Sequence, residues 1–141
     1  MESEFNDRFG IVFIRGDDTL RRQLMEYPGA RRVHMDGHRL RDWEMFYDEI
    51  AIALGFPDYF GRNLNALIDC MRDEYYKADI PLVLWISHAD DLLVEESADS
   101  LHGVLSSFTF IAEEWRAGMA GVFGEAPYPR RMLIVLEYGR V

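Results

Sequence analysis

The chain has 141 residues, of which 49% are hydrophobic and 28% are charged, proportions that predict one globular domain with a sizeable core. Its 15 lysines and arginines against 25 aspartates and glutamates give a formal net charge of −10, which disfavours direct binding to the phosphates of nucleic acids. The single cysteine, Cys70, cannot form an intramolecular disulfide, which fits a reducing cytoplasm. The sequence shows no apolar signal segment or membrane span, so we expect a cytoplasmic protein without membrane contact.

The first thirty residues predict a strand followed by a short helix. Phe9 to Ile14 is rich in β-branched and aromatic residues, and the Gly16-Asp17-Asp18 that follows is typical of a helix N-cap. The helix should carry Leu20 and Leu24 on one face. It should end before Pro28-Gly29, because proline disfavours helical dihedral angles in the residue that precedes it.

A second strand and a longer helix follow. Arg31 to Met35 predicts a strand that ends at the turn dipeptide Asp36-Gly37. Asp42 is available as the cap of a helix whose apolar residues recur at spacings of three and four. The residues of this apolar face are Trp43, Phe46, Ile50 and Leu54. We expect Gly55 to end the helix.

The next periodic segment predicts a second consecutive helix with two distinct faces. At about 100° per residue, Leu64, Leu67 and Met71 lie on one face of this helix. Ile68 lies at the boundary between the two faces. The outer face forms a polar stripe of Asn65, Asp69, Arg72 and Tyr76. This stripe places a carboxylate at the middle of an exposed helix surface, close to the aromatic residues of the preceding loop.

The rest of the chain completes an alternation of strands and helices. Pro81 to Ile86 is a continuous apolar run, typical of a strand that is covered on both faces of a parallel sheet. A late helix has its apolar face at Leu101, Val104, Leu105, Phe108, Ile111, Ala112 and Trp115. Met132 to Glu137 predicts the last strand. This order predicts the α/β class, with right-handed crossovers and a mostly parallel sheet.

No catalytic or metal site stands out in the sequence. His34 and His38 flank the turn at Asp36 and could approach one metal ion, but a histidine at a strand end is usually solvated. His88 stands beside two aspartates that suit a helix N-terminus, and Cys70 fits a small core residue. We therefore predict no catalytic residue, no metal and no cofactor, and an enzyme that uses these histidines is the least favoured alternative.

The run from Phe56 to Met71, with the sequence FPDYFGRNLNALIDCM, resembles the signature of the barstar family, small intracellular inhibitors of secreted ribonucleases. It has the family's proline, aromatic pair, glycine and asparagine, followed by a helix with Ala-Leu, Asp and Cys at matching offsets. The resemblance extends from Ala30 to Glu137. It implies a barstar-like domain at residues 30–141, a small parallel sheet packed with helices, with residues 1–29 as a strand-helix extension packed on the same domain.

The resemblance implies an inhibitor that blocks a ribonuclease active site by phosphate mimicry, in which a carboxylate on a rigid helix occupies the position of the phosphate. Asp69 falls on the family's central acid. Tyr59 and Phe60 fall on the aromatic loop positions that cap the enzyme's cleft, and Gly61 allows close approach. Asn63 either fixes the loop or donates a hydrogen bond to the partner.

The sequence departs from the family pattern at the start of the helix. Asn65 replaces the first acid of the helix, and Ile68 replaces an aromatic residue one turn later. Arg62 adds a positive charge that a basic cleft would disfavour. Asp73 and Glu74 could compensate from the next turn. These changes indicate a different target surface or a lower affinity.

The predicted partner is a basic ribonuclease or the nuclease domain of a toxin, bound by one monomer in a 1:1 complex without nucleic acid. The family's acid on the late helix matches either Glu113 or Glu114, and the alignment leaves both open. The predicted partner-binding residues are Tyr59, Phe60, Gly61, Asn63, Asn65, Ile68, Asp69, Asp73 and Glu113. The alternative, suggested by the departures above, is an interaction or regulatory module of the same fold with a partner that is not a nuclease.

Overall fold

The computed structural model describes residues 10–15, 22–24, 26–77, 80–119 and 129–139. The strands are β1 (Ile11–Arg15), β2 (Arg31–Asp36), β3 (Leu82–Ser87) and β4 (Met132–Tyr138), and the helices are α1 (Trp43–Leu54), α2 (Leu64–Lys77) and α3 (Ala98–Arg116). Short 3-10 turns at Gly37–Arg39 and Ala89–Asp91 follow β2 and β3. The predicted cap at Gly16-Asp17-Asp18 lies outside the described residues, as does Leu20, while residues 22–24 are helical.

The four strands form one sheet in the order β1-β4-β3-β2. The three pairings between neighbouring strands are all parallel. The carboxyl ends of the strands therefore lie along the same edge of the sheet. This topology confirms the α/β class with a parallel sheet, and it places the strand from the first thirty residues beside β4.

Apolar residues cover both faces of the sheet. On one face the three helices bury the larger core, in which Phe46, Phe108 and Trp115 are among the largest fully buried side chains. On the other face a smaller cluster consists of Val12, Ile14, Leu24, Val83, Leu133 and Val135. Leu24 belongs to the segment that follows β1, so this segment supplies cover for the second face.

The ends of α1 follow from local chemistry. Asp42 is the N-cap, and its Oδ1 accepts a hydrogen bond of 2.8 Å from the backbone N–H of Met45. Gly55 ends the helix with a φ of 70°, a left-handed conformation that glycine adopts without steric cost. Both predicted ends are thereby confirmed, and the loop that leads to α2 begins after Gly55.

Within the described residues, no helix is both long enough and apolar enough to cross a membrane.

Candidate partner-binding surface

The loop between α1 and α2 is held from inside by the ring of Phe60. This ring is only 9% exposed and packs edge-on against Phe56, at 5.0 Å between centroids, and against Tyr47, at 5.7 Å. The backbone N–H of Phe60 donates to the carbonyl of Pro57 at 3.0 Å. The ring of Phe60, one of the predicted partner-binding residues, is therefore turned into the fold, where it supports the loop.

The neighbouring ring of Tyr59 points the other way and is 83% exposed. Tyr59 lines a groove of about 230 Å³ between the loop and the second half of α2. The other residues that line this groove are Gly55, Phe56, Pro57, Cys70, Asp73, Glu74 and Lys77. An exposed aromatic ring at the rim of a groove is the type of residue that anchors protein–protein interfaces.

Asn63 joins the loop to α2 through both ends of its side chain. Its Oδ1 accepts a hydrogen bond of 2.8 Å from the N–H of Ala66, which is the geometry of a helix N-cap. Its Nδ2 donates to the carbonyl of Gly61 at 3.2 Å. Of the two roles predicted for Asn63, fixing the loop is the one that these contacts perform.

The positive charge of Arg62 is directed away from α2. Its Nη1 lies 2.6 Å from Oδ1 of Asp48 on α1, and its Nη2 donates to the carbonyl of Glu44 at 3.3 Å. The residue has a φ of 55°, which turns the chain at this point. The carboxylate of Asp48 therefore balances the charge of Arg62. This pairing weakens the repulsion that the sequence predicts between Arg62 and a basic partner.

The outer face of α2 carries the predicted polar stripe. Of the stripe, Asn65 and Asp69 are exposed, and Asp73 beside them is exposed as well, whereas Ile68 is half-buried against the core. The carboxylate of Asp69 is 74% exposed, and its ion pair with Arg72 Nη1 has a distance of 3.3 Å. Residues four apart lie on the same side of a helix, so Asp69 and Asp73 present their charges in the same direction.

Arg72 is bound mainly to α3. Its Nε and Nη2 donate to the two carboxylate oxygens of Glu114 at 2.9 and 2.8 Å. The hydrogen bond to Glu114 is the largest cause that raises the pKa of Arg72, against the opposing effect of burial. Because Glu114 takes most of the hydrogen-bonding capacity of Arg72, Asp69 keeps an open side toward solvent.

The other acids of the two helices differ in exposure. Glu113 is exposed and stands beside Glu114, which is engaged with Arg72. Glu74 is buried, with its side chain 1% exposed, and it forms ion pairs with Arg31 and Lys77. The expectation that Glu74 adds charge to the binding surface is therefore wrong, because its carboxylate lies inside the fold.

Two exposed rings next to this surface were not among the predicted contact residues. Tyr76 on α2 is 53% exposed, and Phe110 on α3 is 46% exposed. The guanidinium of Arg72 lies 5.7 Å from the centroid of the Phe110 ring. Phe110 falls outside the apolar stripe of its helix, and an aromatic residue in that position is a sequence signal that could have found it.

The thiol of Cys70 lies behind the groove and is 7% exposed. Burial raises its pKa, and the nearby carboxylates of Asp73 and Asp69 raise it further. A thiol of this kind is a poor nucleophile at neutral pH. Its environment agrees with the prediction of a small core residue.

Helix α2 and the loop thus present exposed acids and two exposed rings, those of Tyr59 and Tyr76. Residues 30–126 match the barstar family, described as "Barstar (barnase inhibitor)". The chain belongs to the barstar family. A curated protein of Bacillus subtilis (strain 168) named "Putative ribonuclease inhibitor YrdF" is 34% identical, with the similarity covering 50% of this chain and 89% of that protein. The family resemblance noted in the sequence is thereby confirmed.

Proposed function

We propose that this protein binds the active site of a basic ribonuclease, or of the nuclease domain of a toxin, and blocks it. The observation that carries the proposal is the 74% exposure of the Asp69 carboxylate on a helix whose start is fixed by Asn63. Ribonuclease active sites bind phosphate with arginine, lysine and histidine. A carboxylate at a fixed position can accept the same charge-assisted hydrogen bonds.

The contacts of Arg72 make Asp69 available to such a partner. The ion pair between Arg72 and Asp69, at 3.3 Å, is exposed, and exposed pairs of this kind contribute at most about 1 kcal/mol. A guanidinium from the partner can replace it, because Arg72 remains bound to Glu114 when it leaves Asp69. The cost of freeing Asp69 for a partner is therefore small.

The other exposed residues among the predicted contacts lie on the loop, on α2 and on α3. Tyr59 supplies exposed aromatic area on the loop side, and Asp73 adds a second carboxylate one turn further along α2. Asn65 precedes Asp69 by one turn, and Glu113 supplies an exposed acid on α3. The net charge of −10 should accelerate encounter with a basic enzyme, and this acceleration should weaken as salt is added.

A partner that is not a nuclease is the second candidate. It is supported by the neutral Asn65 and the half-buried Ile68, which stand where the family has an acid and an aromatic residue. A surface with one acid fewer matches a basic cleft less well. If this candidate is right, the same surface binds a protein without ribonuclease activity.

Inhibition of RNA cleavage tests the proposal. Barnase and other small basic microbial ribonucleases are the first enzymes to assay, and Asp69→Asn is the informative variant. We expect the substitution to weaken inhibition by at least about 2 kcal/mol, roughly 30-fold, as for a residue at the centre of an interface. Glu26→Gln removes the same charge from an exposed residue of the N-terminal segment, and it should change the inhibition constant less than about twofold.

The proposal is wrong if none of these ribonucleases is inhibited, or if both variants inhibit as well as the unaltered protein. Capture of a partner without ribonuclease activity that depends on Asp69 would instead support the second candidate. The association rate measured at increasing salt supplies an independent check. It should fall with ionic strength if the net charge of −10 steers the encounter.

A further inference from the structure

A cluster of two histidines and two aspartates lies at the carboxyl ends of β2 and β3, and none of its members belongs to the surface described above. Asp36 ends β2 and His38 lies in the 3-10 turn that follows it. His88 comes directly after β3, and Asp91 closes the second 3-10 turn. We call these four residues the His38–His88 cluster.

The two imidazole rings of the cluster are stacked, with centroids 4.0 Å apart and planes inclined by 22°. Each ring has one nitrogen held by a carboxylate. The Nδ1 of His88 lies 3.0 Å from Oδ1 of Asp36, and the Nδ1 of His38 forms an ion pair with Asp91. At 3.0 Å, Nδ1 of His88 and Oδ1 of Asp36 already stand close to the separation of two ligands on one metal ion.

The backbone brings the two halves of the cluster together. Asp36 is paired with Ser87 in the parallel register of β2 and β3. Gly37 packs closely on the backbone of His88, the residue after Ser87. A Cβ at position 37 would lie 2.0 Å from the carbonyl oxygen of His88. His88 itself has a φ of 49°, in the left-handed region that histidine enters more readily than most residues. The cluster is therefore built by the sheet and its two turns rather than by mobile side chains alone.

We propose that Asp36, His38 and His88 bind a divalent transition-metal ion of the Zn²⁺ class. One ligand atom from each of these residues lies within 4.8 Å of the other two. Ligands of a tetrahedral zinc ion stand roughly 3.3 Å apart, since each lies about 2.0–2.1 Å from the metal. The two rings must rotate out of their stack to direct one nitrogen each at the same ion, and the side chains of His38 and His88, 56% and 37% exposed, have room for this rotation.

The charges around the cluster favour a cation. The carboxylate of Asp36 accepts a hydrogen bond of 2.9 Å from the backbone N–H of His38 and lies 3.0 Å from Nδ1 of His88, so it places negative charge between the two histidines. Asp91 adds a second negative charge next to His38. Arg41 lies 3.4 Å from Asp91, but it also pairs with Glu95 at 2.9 Å, which leaves an excess of negative charge.

The choice of metal follows from the ligands. Imidazole nitrogen suits zinc, copper, nickel and iron, whereas calcium and magnesium require oxygen ligands. Two nitrogens and one carboxylate oxygen leave a fourth position for water or for Asp91. This set is the His₂-carboxylate type found in zinc proteins.

Titration of the full-length protein, without a histidine tag, with Zn²⁺ alone tests the proposal. Calorimetry should give one ion per chain. NMR should show that the imidazole resonances of His38 and His88 shift, while those of His102, an exposed histidine on α3, do not. Binding should also raise the melting temperature with increasing Zn²⁺ concentration.

Two variants test the ligands separately. His88→Asn keeps a residue that tolerates positive φ, and His38→Gln changes an exposed side chain in the 3-10 turn. Each should weaken Zn²⁺ binding by at least about tenfold, whereas the control His102→Gln should leave it unchanged. If either variant unfolds, which circular dichroism would reveal, the other still decides the question.

The proposal is overturned if the protein binds Zn²⁺ weakly and with variable stoichiometry, which is adventitious surface binding. It is equally overturned if His38→Gln or His88→Asn folds and binds as tightly as the control. Inhibition of a ribonuclease does not enter this test, because the cluster shares no residue with the surface around Asp69. The two proposals therefore stand or fall independently.

Discussion

Arg72 and Glu114 join α2 to α3 through two parallel hydrogen bonds, of 2.9 and 2.8 Å, between the guanidinium and the carboxylate. The side chains are 28% and 16% exposed, so the pair is largely shielded from water. A paired, two-point contact of this kind is stronger and more directional than a single ion pair. It fixes the angle at which α2 presents Asp69, and it keeps the one arginine of the polar stripe occupied.

We expect Arg72→Gln to lower the free energy of unfolding by about 1–2 kcal/mol, because it leaves the carboxylate of Glu114 without its partner. Arg62→Gln is the matched control, since the Arg62–Asp48 pair is 43% and 54% exposed. The control should cost less than about 1 kcal/mol, as exposed pairs do. Urea titration of both variants measures the difference, and equal losses would contradict the role given to Glu114.

The two rings of the loop should respond to substitution in opposite ways. Phe60→Ala should destabilise the protein by about 3 kcal/mol, because it opens a cavity between α1 and the loop. Tyr59→Ala should change stability by less than about 0.5 kcal/mol, since the ring of Tyr59 is 83% exposed. If the proposed function holds, only Tyr59→Ala should weaken inhibition without loss of stability. A large stability loss for Tyr59→Ala would show that this ring is also structural.

Much of the fold could be predicted because its signals are local. The apolar spacing of α1, its cap at Asp42 and its end at Gly55 each depend on residues that are close neighbours in the sequence. The exposure of Asp69 follows from its place on the polar face of α2 in the same way. The sequence could not separate Tyr59 from Phe60, because which of two neighbouring rings turns inward depends on Tyr47 and Phe56 beneath the loop.

Contacts between distant parts of the chain were harder to predict. The sequence pairs His34 with His38 because they are near neighbours, but His34 bonds to Ser87 and stacks on Trp85. His88 takes its place beside His38 because β2 and β3 are aligned in parallel. Strand register is set by the whole sheet, so a single sequence does not reveal this pair.

Asn63 should contribute to both folding and binding. Asn63→Ala removes the cap of α2, so we expect a loss of about 1 kcal/mol in stability. Asn63→Asp keeps the acceptor oxygen for Ala66 but loses the hydrogen bond to the carbonyl of Gly61. It should therefore be nearly as stable as the unaltered protein, although its loop is less firmly held. Thermal melting and ribonuclease inhibition together test this separation, and identical behaviour of the two variants would refute it.

The reactivity of Cys70 should report on the groove. Burial, followed by the charges of Asp73 and Asp69, raises the pKa of the thiol, so less thiolate is present at pH 8 than in the unfolded chain. We expect alkylation of the folded protein to be at least about tenfold slower than in urea.

The raised pKa also means that the unfolded chain loses this proton first as the pH rises. The free energy of unfolding should therefore decrease in the alkaline range.

The negative charge beside Cys70 can be tested with a pair of aspartate substitutions. Asp73→Asn should lower the pKa of Cys70 and accelerate its alkylation, because the carboxylate of Asp73 disfavours the thiolate. Asp58 is exposed in the loop between α1 and α2 and is not among the charges that shift the pKa of Cys70, so Asp58→Asn should leave the rate unchanged. Equal rates for both variants would show that burial alone protects the thiol.

A bound ribonuclease that covers Tyr59 and the groove should slow alkylation further, which links this measurement to the proposed binding surface.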